Sequence, residues 1–446
     1  MAEFLIIGAD AAGLSGALQI KRKRSKADVK VIAKGRIISY GACGLPYVLS
    51  GEIASPEKLI HFTPRTFQER NGIPVETGRE AVGLDPGRHE VEVMGLDSGR
   101  VSREPYGRLL IATGATPRRL PFLDYGLDGV FHFHTVEDLK LILAFLQDNK
   151  PKRTAVIGAG NIGLETAEAL HRRGHKFVLL DILDSPAATW PPAIQKAVVG
   201  KIKEIGLEFM PGAAVSLVEK SGFGFVLHVG DLELQADMIL SVAGTTPATG
   251  FCGGQLNALP NGALITDRFS RTSAPDIYAA GDCAAVFQRV LGAPAYIPLG
   301  STANKVGRLA GMNMAGVEVE FPGVVGTQIL KFFDLSLART GLSLDEAVLA
   351  GYEAEAVSAR ASDRSGYYPG AAQAEVEIVF DTISGRLLGA TAVSRGNSAQ
   401  FIDPAAAAIT AGLTVRDMAW FDAAYAPPFA PVWNALTSAA FRAARF

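Results

Sequence analysis

Two stretches of this chain repeat one pattern of apolar and polar positions. Phe4-Leu5-Ile6-Ile7 is an apolar run of strand length that leads into Gly8-Ala9-Asp10-Ala11-Ala12-Gly13 and then a helix-like segment. Ala155-Val156-Ile157 leads in the same way into Gly158-Ala159-Gly160-Asn161-Ile162-Gly163, with a helix expected over 164–173. A second strand is expected after each, over 29–33 and 177–181. A run that is apolar at every position predicts a strand covered on both faces. Strand, Gly-rich turn, helix, strand is the βαβ unit of a dinucleotide-binding fold. One such motif is weak evidence, but two in one chain, each between a strand and a helix, are strong. Two more strand candidates end in turns: Leu109-Leu110-Ile111-Ala112-Thr113-Gly114-Ala115 and Ile277-Tyr278-Ala279-Ala280-Gly281-Asp282. The Ala-rich stretch 405–411 is too short to span a membrane and reads as a core helix.

The second copy is the more regular. Gly158 permits the tight turn, Gly160 lets backbone approach a pyrophosphate, and Gly163 lets helix pack on strand. Asp181 ends the next strand at the spacing where a carboxylate accepts from a ribose 2′-hydroxyl. A carboxylate there repels a 2′-phosphate, which favours NADH over NADPH. The plain alternative is a solvated charge at a strand end. In the first copy Asp10 replaces the second glycine, and Ala33 stands where an acidic ribose partner is expected.

Length and composition narrow the picture. A chain of 446 residues exceeds one hydrophobic core and implies two or three domains. A formal net charge of -2 gives no reason to expect nucleic acid as the main partner. Three cysteines make no disulfide framework, so a reducing, cytoplasmic setting is expected. The apolar stretch 4–20 lacks a basic leader, is interrupted by Asp10, and has its basic cluster, Lys21 to Arg24, behind it, so it does not read as a signal peptide. No metal is expected, because the histidines do not cluster with Cys or acidic residues at ligand spacing.

Among the cysteines, Cys43 differs in context. It precedes an expected helix with Pro46 in the first turn, where backbone N–H groups and the helix dipole favour a thiolate. Cys252 and Cys283 read as small buried residues. With no second cysteine nearby, Cys43 needs its partner from elsewhere: a mixed disulfide with a small thiol, or oxidation to a sulfenic acid. Both remain open on the residues alone.

Taken together, the two Gly-rich units, the Ala-Thr-Gly strand end and the Gly-Asp strand end resemble the pyridine nucleotide–disulfide oxidoreductases. The resemblance implies an α/β fold with two Rossmann-like domains and an α+β C-terminal dimerisation domain. FAD would occupy 1–118 and 243–322, NAD 119–242, and dimerisation would fall to 323–446. Ser39-Tyr40-Gly41-Ala42-Cys43-Gly44-Leu45-Pro46-Tyr47 is similar to the single-cysteine group that contains coenzyme A-disulfide reductase, NADH oxidase, NADH peroxidase and polysulfide reductase. The segments 298–305, Gly366-Tyr367-Tyr368-Pro369-Gly370 and Tyr425-Ala426-Pro427-Pro428-Phe429 resemble the coenzyme A-disulfide reductase subgroup.

That resemblance assigns FAD contacts to Gly8, Ala9, Asp10, Ala11, Ala12, Gly13, Lys34, Ala112, Thr113, Gly114, Gly281, Asp282 and Ala303. It assigns nicotinamide nucleotide contacts to Gly158, Gly160, Asn161, Ile162, Gly163, Asp181 and Gly244. Ser15, Gln19, Arg22, Ser39, Ala42, Asn304 and Trp433 would contact coenzyme A. Tyr425, with Tyr367 or Tyr368, would protonate leaving thiolates, supplied across a homodimer. Asn71 stands where the family often has a basic residue, which weakens the coenzyme A case. The expected activity is reduction of coenzyme A disulfide, coenzyme A persulfide or polysulfide by NAD(P)H through Cys43. The alternatives are an NADH oxidase or peroxidase using a sulfenic acid, disfavoured because Asp10 replaces the usual His, and a low-turnover redox-sensing coenzyme A-binding flavoprotein, to which Ala33 lends some support. No rhodanese-like segment follows before Phe446, so the acceptor stays open.

Overall fold

A computed structural model describes residues 2–222 and 224–445. The helices that position the site are α1 (Ala11–Lys23), α2 (Leu45–Ser50), α3 (Pro64–Asn71), α4 (Val136–Asp148), α5 (Asn161–Arg172), α6 (Pro192–Ile205) and α7 (Gly300–Met314). Strands β1 (Ala2–Ile7) and β2 (Val29–Ala33) pair in parallel with Phe4 opposite Val29, and β1 also pairs in parallel with Val101–Ile111. Ile277–Ala279 adds to the far side of Val101–Ile111, so the Gly-Asp turn ends beside the Ala-Thr-Gly turn. The apolar runs are buried on both faces, as a parallel sheet between helices requires.

The second unit repeats this arrangement in a five-stranded parallel sheet. Thr154–Ile157 lies between Phe177–Leu180 and Met238–Ser241. The chain passes between the two sheets through a short antiparallel pair, Ala115–Pro117 against Thr245–Pro247. The C-terminal part is a five-stranded antiparallel sheet covered by helices Ala399–Ala411 and Ala435–Ala444. The Ala-rich stretch is the second half of the first of these, with Ala405, Ala408 and Ile409 buried. Among the described residues no helix is long and apolar enough to cross a membrane.

α1 and α7 cross with their backbones almost touching. A Cβ on Gly307 would stand 2.3 Å from the Ala12 carbonyl oxygen, and one on Gly311 would stand 2.3 Å from that of Gly16. Only glycine allows this approach. It brings Ser15 of α1 against Asn304 of α7, whose Nδ2 donates to Ser15 Oγ at 2.8 Å.

Candidate active site

The first Gly-rich turn is closed by backbone contact. Gly8 has φ +117°, and a Cβ there would lie 2.0 Å from the Ala112 carbonyl oxygen; a Cβ on Gly13 would lie 2.0 Å from that of Gly8. Gly281, at φ +84°, faces Ala12 and Ala303 at near contact. Gly281, Asp282, Ala285, Ile297, Thr302 and Ala303 line a cleft beside this turn. Glycines and alanines along its wall present backbone rather than bulky side chains beside the N-terminus of α1, where backbone N–H groups point outward. The residues present therefore fit a dinucleotide such as FAD. Burial raises the Asp282 carboxyl, partly offset by nearby His134. Thr113 Oγ1 donates to the Ala248 carbonyl at 2.8 Å, and Gly114 turns at φ +68°. Ala33 is buried at the end of β2, and the adjacent Lys34 lies on the surface, paired with Glu80 at 2.8 Å.

Asp10 is the N-cap of α1 but makes no side-chain capping bond. Its carboxyl interacts with the backbone of Tyr40 and Ser39 and is pushed up to about 6, chiefly by desolvation within the surrounding protein and also by Glu137. It thus ties the first turn to the strap that carries Cys43. On that strap Ser39 takes a positive φ of 52°, and its N–H donates to the Ala9 carbonyl at 3.1 Å.

The second turn has the same backbone. A Cβ on Gly163 would stand 1.9 Å from the Gly158 carbonyl oxygen, and one on Gly158, at φ +113°, 2.6 Å from that of Val242. A Cβ on Gly160 would meet nothing within 4 Å, so this position faces open space at the N-terminus of α5. Asp181 lies directly behind the turn: Oδ2 accepts from Ala159 N at 2.6 Å and Oδ1 from Leu183 N at 2.9 Å. Asn161 Oδ1 accepts from the buried Trp190 Nε1 at 2.6 Å, and Ile162 packs on the adjoining core. Gly244 turns at φ +92° and its carbonyl accepts from Arg118 N at 3.0 Å.

Cys43 sits in a single turn, Ala42–Gly44, just ahead of α2. Its thiol and Ala42 are exposed. Surrounding protein, Glu165 and Asp282 together push the thiol up. This corrects the expectation that the helix start would favour a thiolate. The six-residue α2 has a small dipole, and two facing carboxylates and desolvation outweigh it. Glu165 was not singled out by the sequence. It follows Gly163 by two residues on α5, accepts a hydrogen bond from Tyr47, and is pushed up to about 7 by burial and by Glu168. Only folding shows that it faces Cys43.

Cys252 and Cys283 are buried, and Cys283 Sγ donates to the Ile111 carbonyl at 3.3 Å. Burial pushes Cys252 up to about 12. Both occupy one apolar cluster and fit the structural role expected of them.

Ser15 meets Asn304, while Gln19 and Arg22 continue along α1 at one-turn spacing, half-buried and exposed in turn. Asn71 Nδ2 closes α3 on the Phe67 carbonyl at 3.0 Å. Tyr367 and Tyr425 form a hydrogen-bonded pair on the surface of the C-terminal part, which lowers Tyr367 and raises Tyr425. Tyr368 and Trp433 are exposed nearby in sequence, with Trp433 edge-on to Phe441 at 5.7 Å. Among the described residues no hydrogen bond, ion pair or ring contact joins these aromatics to Cys43 of the same chain.

The family described as pyridine nucleotide-disulphide oxidoreductase matches residues 2–303, and its dimerisation domain matches residues 327–436. The chain belongs to this family. Like other members it is a mixed α/β flavoprotein-type oxidoreductase built on Rossmann units. It is 36% identical over 435 residues to the NAD(P)H sulfur oxidoreductase (CoA-dependent) of Pyrococcus furiosus, covering 97% of each chain. Among solved structures it is similar to a NAD-dependent persulfide reductase from A. fulgidus, with TM-score 0.94, 31% identity, and coverage of 99% of this chain and 83% of that one. It is also similar to a water-forming NADH oxidase from Lactobacillus brevis, with TM-score 0.94, 28% identity, and coverage of 100% and 98%.

Proposed function

We propose that this oxidoreductase uses NADH to reduce coenzyme A-linked disulfide or persulfide sulfur through Cys43. The observation that carries the reading is the placement of Cys43 within electrostatic reach of both Asp282, at the FAD-side cleft, and Glu165, on the helix leaving the second Gly turn. One cysteine, exposed at the surface, thus lies near residues of both dinucleotide units. The coenzyme A dependence named for the 36% identical relative supports the choice of acceptor.

Gly8, Gly13, Gly281 and Asp282 would hold FAD, and Gly158, Gly160, Gly163 and Asp181 the nicotinamide nucleotide. FAD, when bound, supplies the two-electron chemistry that links a nicotinamide hydride to a sulfur–sulfur bond. At rest Cys43 is a mixed disulfide with coenzyme A. Two electrons and one proton cleave that bond, leaving Cys43 thiolate and coenzyme A thiol. The thiolate attacks an incoming coenzyme A disulfide; one sulfur joins Cys43 and the other leaves as thiolate. Tyr425, paired with Tyr367, donates the proton to that leaving group from the other subunit of a homodimer. An environment that raises the free Cys43 thiol disfavours its thiolate and so favours the mixed disulfide. Ser15, Gln19 and Arg22 along α1, with Asn304 of α7 beside Ser15, form a polar-to-basic track that suits a phosphorylated thiol carrier.

The competing reading is oxygen or peroxide reduction through a Cys43 sulfenic acid, which the likeness to a NADH oxidase favours. An anaerobic NADH titration with mass analysis of the Cys43 peptide separates the two. A coenzyme A adduct that disappears on reduction is expected. A sulfenic acid without adduct, together with rapid peroxide turnover, would overturn the proposal. Cys43→Ser is expected to retain FAD and lose sulfur reduction by about 10³-fold.

A further inference from the structure

Glu165 faces Cys43 from α5, and one turn further along the same helix Glu168 carries an unusual burden. Glu168 is buried, with its side chain 6% exposed, and three donors converge on its carboxylate. They are Arg172 Nε at 2.9 Å, the Phe333 backbone N–H at 2.6 Å, and Lys331 Nζ in close contact. Lys331 and Phe333 belong to the tip of a hairpin of the C-terminal sheet, Gln328–Phe332 and Leu335–Gly341. Phe333 holds a positive φ of 55° and sets its ring edge-on to His171 of α5 at 5.3 Å. The next residue, Asp334, pairs with the buried Lys201 of α6 at 2.6 Å. The hairpin tip is therefore inserted between α5 and α6.

The same helix also grips the Cys43 helix. Arg172 reaches Glu52 at 3.6 Å, and Arg173 donates to the carbonyls of Leu49 and Val48 at the end of α2. One apolar cluster joins Leu45 and Leu49 of α2, Leu164 and Leu170 of α5, and Phe332 and Leu335 of the hairpin. A buried carboxylate with three donors is stable only while all three stay in place, so Glu168 has one geometry.

We infer that Glu168 is a positioning residue that couples the nucleotide-binding helix α5 to the Cys43 helix α2 by clamping the C-terminal hairpin against both. The inference rests on the nucleotide site proposed above for the turn 158–163. Occupation of that turn is transmitted along α5 to Arg172 and Arg173, and from them to the carbonyl end of α2. The hairpin is the fixed point against which α5 is held.

Hydrogen exchange on the full-length holoenzyme with and without NAD+ tests this. In the wild type, NAD+ is expected to slow exchange about threefold or more at 158–163, in α2 and at the hairpin tip. In Glu168→Gln, protection at 158–163 persists while protection of α2 and the tip is lost. Turnover at saturating NADH falls about tenfold with KM within about twofold, as expected for misplacement rather than lost binding. Equal protection of α2 and the tip in variant and wild type overturns the coupling alone. Absence of protection at 158–163 in the wild type overturns the nucleotide site and the coupling with it. If Glu168→Gln yields no folded holoenzyme, Lys331→Gln removes one donor of the three and is read by the same outcomes.

Discussion

The two βαβ units share a backbone and differ at their ligand-facing positions. Gly8 and Gly158 turn at φ +117° and +113°, and the glycines five residues later, Gly13 and Gly163, pack a helix on the preceding turn with no room for a Cβ. Between them the units diverge: Gly160 faces open space, while Asp10 bonds back to Ser39 and Tyr40. At the strand ends, Ala33 is buried and silent, while Asp181 fastens the second turn through Ala159. The glycines that fold the unit cannot vary, because backbone oxygen occupies the space a side chain would need. The ligand-facing positions can be reassigned, and the first unit uses one to hold the Cys43 strap.

The largest test of this contrast is a pair of substitutions in one turn. Gly163→Ala is expected to cost about 3–5 kcal/mol or to prevent folding, because its Cβ meets a carbonyl oxygen. Gly160→Ala is expected to cost under about 1 kcal/mol while weakening NADH binding about tenfold or more. Thermal melts and NADH titrations compare them, and equal stability losses would remove the distinction between packing and ligand-facing glycines.

Next in size is Asp181→Ala. It removes acceptors from Ala159 and Leu183, costing about 1–2 kcal/mol, and narrows the preference for NADH over NADPH about tenfold. Steady-state kcat/KM with both nucleotides checks this; an unchanged ratio would leave Asp181 a purely structural residue.

Asp10→Asn acts through pH. The folded carboxyl titrates at about 6, above its ordinary value of 3.8. A raised carboxyl favours the folded state while protonated, so that contribution is full below about pH 4 and is lost as pH rises through 6. The Asn variant of the cofactor-free chain is therefore expected to gain on the wild type across that window. Denaturant midpoints between pH 4 and 7 measure the difference, and a parallel pair of curves would sink the assignment.

The smallest effect is expected from Glu165→Gln. Removing a carboxylate that faces Cys43 lowers the thiol, and alkylation of the reduced enzyme near pH 7 should quicken about threefold. No change would mean that burial and Asp282, not Glu165, govern Cys43.

Much of the fold was legible because its signals are local. The two apolar runs and their glycines specify strand, turn and helix within a dozen residues, and the structure places β1, α1, β2 and their second-unit counterparts within a few residues of expectation. The state of Cys43 was not legible. Pro46 and the helix start are local cues to a thiolate, whereas Glu165 and Asp282 lie far from Cys43 in the chain and oppose it. Glu168 left no trace either: on α5 it reads as one more helical Glu, and its partners Lys331 and Phe333 come from another part of the chain.

By itself the sequence determined the class of fold, the two nucleotide turns and the lone cysteine between them, since steric demands on glycine and the periodicity of apolar residues are written residue by residue. Tertiary structure alone decided which carboxylates surround Cys43, where Asp10 finds its donors, and how the C-terminal hairpin grips α5. Charges act through space at a few ångströms, and chain separation says nothing about that distance until the core has closed.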